Sequence, residues 1–97
     1  MGRGLLEFDW DPKKAASNLR KHRISFRDAA MVFSDVLALT YDDSVHSHGE
    51  QRYVTIGTSD HDRVIVVAHT TRGERVRIIS ARKATPREVR AYEKESK

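Results

Sequence analysis

Between Arg52 and Ala81 this chain of 97 residues reads as three strands separated by nothing longer than a turn. Arg52 to Ser59 alternates, with Arg52, Val54 and Ile56 on one side. Asp60-His61-Asp62 reads as a turn. Val64 to Thr70 is apolar on both faces, which predicts a central place in a sheet. Arg72-Gly73-Glu74 reads as a hairpin turn, and Arg75 to Ala81 as the next strand. Strict alternation there points Val76, Ile78, Ser80 and Arg82 one way, and Arg75, Arg77, Ile79 and Ala81 the other. Such short connections make consecutive strands antiparallel neighbours. Leu37 to Tyr41 reads as an earlier strand, followed by a polar loop from Asp42 to Glu50, and Leu5 to Trp10 as a candidate first strand.

Helices flank this meander. The chain has two prolines, Pro12 and Pro86, and both sit where helices begin. Asp11-Pro12 is an N-cap followed by proline at the first helical position, predicting a helix over 12–22 with Ala15, Ala16 and Leu19 inward. Ser25-Phe26-Arg27-Asp28 approximates a capping box for a helix over 26–33, with Phe26, Ala29, Ala30 and Phe33 inward. Thr85-Pro86-Arg87-Glu88 is a full capping box for a helix over 86–95. The order predicts an α+β fold: an antiparallel four- to five-stranded sheet, two N-terminal helices and a C-terminal helix, in one domain spanning 1–97.

Charge is divided along the chain. Residues 1–50 carry seven Lys/Arg and eight Asp/Glu, whereas 51–97 carry eleven and six. Arginines number twelve against six lysines, and guanidinium groups fork onto phosphate oxygens in a way ammonium groups do not. Seven basic residues fall between Arg72 and Arg90, which suits a polyanion-holding surface and equally a solvated basic face. There is no cysteine, so disulfides and thiolate zinc sites are excluded. The apolar run Val64 to Ala68 is too short for a membrane span or signal segment. The start, Met1 to Leu6, lacks the Ser/Thr of a myristoylation signal. A soluble, cytoplasmic protein without membrane partners is expected.

The segment His46-Ser47-His48-Gly49-Glu50-Gln51-Arg52 holds the residue types that metal-free RNA cleavage requires. A base takes the 2′-hydroxyl proton, a cation stabilises charge developing on phosphorus, and an acid protonates the leaving 5′-oxygen. Glu50 or His46 fits the base, His46 the acid and Arg52 the cation. The competing structural reading is a hydrophilic loop with Glu50 and Arg52 ion-paired. His46, His48 and Glu50 alternate as zinc ligands would, but Ser47 and Gly49 suit a mobile loop and not a rigid cage, so no metal and no cofactor is expected. Arg77 and Arg82 are candidate phosphate and transition-state ligands, although an Arg77 ion pair with Glu50 or Glu93 would serve structure alone. Arg75, Lys83, Arg87 and Tyr92 are candidate RNA contacts, with Lys83 just ahead of a helix N-terminus. Tyr92 fits equally a ring packed against the sheet, and Phe8, Trp10 and Phe33 fit core positions. Glycine-rich phosphate loops, nucleophile elbows and the common nucleic-acid motifs are absent from the sequence.

Phe8-x-Trp10-Asp11-Pro12-Lys13-Lys14-Ala15, then Asn18, Lys21-His22 and Ile24-Ser25-Phe26-Arg27-Asp28-Ala29, resemble the opening of the BrnT toxin family. Val32-Phe33-Ser34-Asp35 continues the pattern. His46-Ser47-x-x-Glu50-x-Arg52 with Ile56-Gly57 is its most characteristic piece, and Ile78-Ile79-Ser80-Ala81-Arg82, Glu88, Arg90 and Tyr92-Glu93 complete it, so that the likeness covers about residues 7–93. Asp60-His61-Asp62 departs from the glycine-containing turn more usual there. The resemblance implies a RelE-like ribonuclease fold and the toxin of a type II toxin–antitoxin pair, which cleaves RNA to stop translation. It also implies a BrnA-like ribbon-helix-helix antitoxin, a 2:2 complex, and repression of the shared operon through operator DNA. It raises the standing of Glu50, Arg52 and Arg82 without assigning their roles. The alternative is a non-catalytic nucleic-acid-binding or corepressor module.

Overall fold

The computed structural model describes residues 6–60 and 62–95. Five strands form one sheet: β1 (Glu7–Asp9), β2 (Leu39–Asp42), β3 (Arg52–Thr58), β4 (Val64–Arg72) and β5 (Arg75–Lys83), in the order β1-β5-β4-β3-β2. The helices are α1 (Pro12–His22), α2 (Phe26–Met31) and α3 (Pro86–Glu95). Each starts where its cap predicts. Asp11 Oδ1 accepts from Lys13 N at 2.9 Å and Ser25 Oγ from Asp28 N at 3.0 Å. At α3 the box is reciprocal, with Thr85 N donating to Glu88 Oε1 (2.8 Å) and Glu88 N to Thr85 Oγ1 (3.2 Å). The turn before β4 is closed by Asp62 N on Ser59 O at 3.1 Å, with Asp62 at φ 58°. His61, like Leu5 of the candidate first strand, lies outside the described residues.

Strands β2 to β5 form the antiparallel meander, but the sheet is mixed and not purely antiparallel as expected: β1 lies parallel to β5, Glu7 opposite Arg75 and Asp9 opposite Arg77. No hairpin joins these two strands, so turn chemistry carries no information on their direction. Charge ties them, Arg75 Nε to Glu7 Oε1 and Arg77 Nη1 to Asp9 Oδ1, each at 3.1 Å.

Three further expectations are corrected. Alternation in β5 fails because Ala68 pairs with Ser80 but His69 with Ile78, leaving Ile79 as the extra residue of a β-bulge. Ile78 and Ala81 therefore face the same core, and Arg82 turns to the opposite side from Ala81, the side that Arg77 also takes. On α1 the inward residues are Ala15 and Asn18, while Ala16 and Leu19 are exposed. Asn18 is buried because β1 covers β5 only as far as Arg77. Beyond it, the Asn18 carboxamide takes the place of a strand, donating to Ala81 O (2.9 Å) and accepting from Ala81 N (3.1 Å). Strand β2 begins at Leu39 and not Leu37, since Asp35 first closes a turn with Ala38 N on its carbonyl (3.0 Å) and Leu37 N on its carboxylate (2.9 Å).

The sheet buries both faces. On one, Ile65, Val67, Ile78 and Ala81 meet Ile24, Phe26, Ala29 and Val32 from the α1–α2 layer. On the other, Ile56 and Val66 meet Tyr92 of α3. Asp35 joins the layers, its Oδ2 accepting from Tyr92 Oη (2.6 Å), Thr58 N (2.9 Å) and Thr58 Oγ1 (3.1 Å). Burial would raise the Asp35 carboxyl, but these donors outweigh it and hold the group below its ordinary value.

Candidate active site

Beside α3 the second sheet face is open, leaving a cleft of about 430 Å³. Its floor is apolar: Val54, Val66, Ala68 and the bulged Ile79, with Ser80 at the edge. Asp43, His46 and Arg52 form one wall, Arg82 and Glu88 the other.

The first wall is a clasp built by the polar loop. Asp43 N donates to Arg52 O (2.9 Å), and the Ser47 hydroxyl donates to Asp43 O (2.7 Å) while accepting from Arg52 N (2.8 Å). These bonds fix Asp43 and His46, in a 3-10 turn at Ser44–His46, against the start of β3. His46 Nδ1 lies 3.0 and 3.1 Å from the two Asp43 carboxylate oxygens, and its side chain is 66% exposed. A carboxylate on one ring nitrogen fixes the orientation of the imidazole and favours the proton there, leaving Nε2 for exchange with a ligand. Among the described residues no carboxylate lies within ion-pair distance of Arg52, whose Nε is buried without a hydrogen-bond partner. A half-buried, uncompensated guanidinium over an apolar floor is electrostatically suited to an anion.

On the second wall Arg82 forks onto Glu88, Nη1 to Oε1 at 2.8 Å and Nη2 to Oε2 at 2.9 Å. The arginine bonds hold the Glu88 carboxyl down at about 2 against the opposing effect of burial, assisted by the Thr85 N–H. Glu88 raises the Arg82 value in turn. Glu88 is therefore a carboxylate at any physiological pH, and Arg82 reaches the cleft with part of its donor set already engaged.

The expected site residues do not all converge. His46, Arg52 and Arg82 line the cleft. Glu50 lies outside its lining, 3.7 Å from Arg72, so the anticipated Glu50–Arg52 ion pair is replaced by another. Arg77 is held by Asp9, not by Glu50 or Glu93. Arg75 pairs with Glu7, while Lys83 and Arg87 are exposed near the start of α3. Tyr92 is buried, with its hydroxyl on Asp35. No group of three or more His, Cys, Asp or Glu among the described residues is placed to hold a metal ion, and His46 and Glu50 have separate partners. Sequence reasoning missed Asp43, whose signal was its three-residue spacing from His46. It read Glu88 as a helix cap but not as the partner of Arg82.

The chain is thus a small α+β protein whose one cleft gathers an imidazole, carboxylates and two guanidinium groups, a set with the charge to hold an anion and the groups to move protons. The model of a family described as the ribonuclease toxin, BrnT, of type II toxin–antitoxin systems matches residues 10–88, and the chain belongs to that family. A family of this kind implies an antitoxin partner. The crystal structure of the Brucella abortus ribonuclease toxin BrnT is similar, with a TM-score of 0.64 over 84% of this chain and 99% of that one. At 24% identity this likeness concerns the fold. No curated protein matches the chain. No helix among the described residues is long and apolar enough to cross a membrane.

Proposed function

We propose that the protein is a metal-independent endoribonuclease toxin, related to the RelE type, that acts as a single domain in the cytoplasm to cleave RNA and halt translation. The observation that carries this reading is Arg52, an unpaired guanidinium with an orphaned Nε in the cleft that also holds His46. Arg52 holds the scissile phosphate and stabilises the charge that grows on it as the 2′-oxygen attacks. His46, oriented by Asp43, moves protons to and from the attacking and leaving oxygens. Arg82 adds donors from the opposite wall. Glu50 pairs with Arg72 outside the cleft lining, so the proton transfer falls to His46. Arg77 backs the cleft through β5, and Arg75, Lys83 and Arg87 attract the flanking RNA. The partner is a BrnA-like ribbon-helix-helix antitoxin, which neutralises the toxin in a 2:2 complex and, with it, represses the operon.

The test is RNA cleavage by purified, antitoxin-free protein in EDTA. Wild type should produce new RNA ends and Arg52→Ala should not. In cells, Arg52→Ala and Arg82→Ala should each lose toxicity while still folding and binding antitoxin. Full toxicity in both would remove them from the site. Salt-sensitive RNA binding without new ends, also in the presence of translating ribosomes, would establish the non-catalytic module instead.

A further inference from the structure

A second hollow, of about 190 Å³, lies between α1 and the uncovered part of β5. Lys14, Ser17, Lys21 and His22 line it from the helix, and Ile79 and Ser80 from the strand. Spacings of three and four residues put Lys14, Ser17 and Lys21 on one helix face, with the lysines about 10 Å apart along the axis at 1.5 Å rise per residue. Both are exposed, and among the described residues no carboxylate lies within ion-pair distance of either. Their helix is fixed to β5 through Asn18 and Ala81. Ile79 and Ser80 also line the cleft that holds Arg52 and His46. The bulge is thus a shared border: Ile79 and Ser80 line both hollows, at the edge of β5 that β1 leaves uncovered.

We propose that this α1 face is a second phosphate-holding track for single-stranded RNA, continuous with the cleft across the β5 bulge, in which Lys14 and Lys21 hold backbone phosphates flanking the nucleotides in the cleft. The proposal rests on the ribonuclease reading of that cleft. Lysine ammonium groups act on phosphate as point charges and read no base, so the track contributes affinity and reach without sequence preference. An acidic stretch of the antitoxin would match the same charges. The shared border favours RNA, because a strand seated over Ile79 and Ser80 meets the lysines as it leaves the cleft.

The test uses antitoxin-free full-length protein in EDTA with 2′-O-methyl oligonucleotides of roughly 4 and 12 nucleotides, which resist cleavage, and fluorescence anisotropy across a salt series. Wild type should bind the longer probe more tightly. In Lys14→Gln/Lys21→Gln that advantage should vanish, and the slope of log affinity against log salt should shrink by about 1.4, at about 0.7 per lost phosphate contact. Lys14→Arg/Lys21→Arg should restore both. An unchanged advantage and slope in the glutamine variant would remove the track and leave the cleft reading standing. Loss of antitoxin affinity with RNA binding intact would give the face to an acidic protein partner and overturn the proposal. Binding of neither probe by wild type, even at low salt, would overturn it together with the ribonuclease reading.

Discussion

His69 is kept neutral by its surroundings. It is buried on β4, edge-on to Phe33 (4.8 Å between ring centroids) and stacked on Tyr53 (5.8 Å). Its Nε2 lies 2.7 Å from Thr55 Oγ1, which is 2.8 Å from Thr40 Oγ1, and Nδ1 is buried without a partner. Burial pushes the imidazole from 6.5 down to about 4. Unfolded chains therefore bind the proton first as pH falls. The His69 contribution to stability is complete above about 6.5 and is lost progressively toward pH 4, by about 3 kcal/mol at the end of that window. Urea unfolding at a series of pH values should show this loss in wild type and not in His69→Phe. The same slope in both would exonerate His69. At this scale the sequence showed which side chains have reactive chemistry and not which are left unpaired. Arg52 and His46 stood out by type, but whether Glu50 neutralises Arg52 depends on a loop closed by Ser47, and no spacing rule encodes that closure.

The elements themselves were legible wherever local chemistry decides them. Caps at Asp11, Ser25 and Thr85 set the helix starts, and turns set the meander. What escaped were features that depend on contact between distant segments: the parallel pairing of β1, the burial of Asn18, and the bulge at Ile79, which reverses the phase of β5 and with it the side from which Arg82 works. Gly57 shows the same dependence. It sits on β3 where a Cβ would stand 2.9 Å from Val32 Cγ1 and 3.1 Å from both Ala38 Cβ and Asp35 Oδ2. The absent side chain lets the 3-10 turn at Val32–Ser34 approach, so that Asp35 reaches Thr58 and Tyr92. Gly57→Ala should cost about 1–3 kcal/mol by overpacking and loosening this junction. Thermal unfolding checks it, and a variant as stable as wild type would show that the turn gives way freely.

Over the whole molecule, the division of charge along the sequence is only partly a division in space. The basic stretch after Arg72 meets acids from the first half: Glu50 at Arg72, Glu7 at Arg75, Asp9 at Arg77. Arg82 takes Glu88 from its own half. A count of cations thus overstates the free positive surface, because Arg72, Arg75, Arg77 and Arg82 each meet a carboxylate, whereas Arg52, the α1 lysines, Lys83 and Arg87 have none within ion-pair distance among the described residues. The fold class was readable because strand order follows chain order from β2 to β5, whereas the mixed sheet arises from the one pairing that joins the two ends of the chain. On the proposed ribonuclease reading, Glu88 governs how RNA affinity would respond to salt. Arg82 carries an internal counter-anion, so the pair delivers almost no net charge to a polyanion and displaces few of its condensed ions. Replacing both residues together, Arg82→Ala/Glu88→Ala, should leave the salt slope of RNA affinity nearly unchanged, while Arg52→Ala should lower it by about 0.7, both read from binding isotherms over a range of ionic strength. A cation with a built-in counter-anion thus shapes where a phosphate sits, and a cation without one sets how strongly the polymer is drawn in.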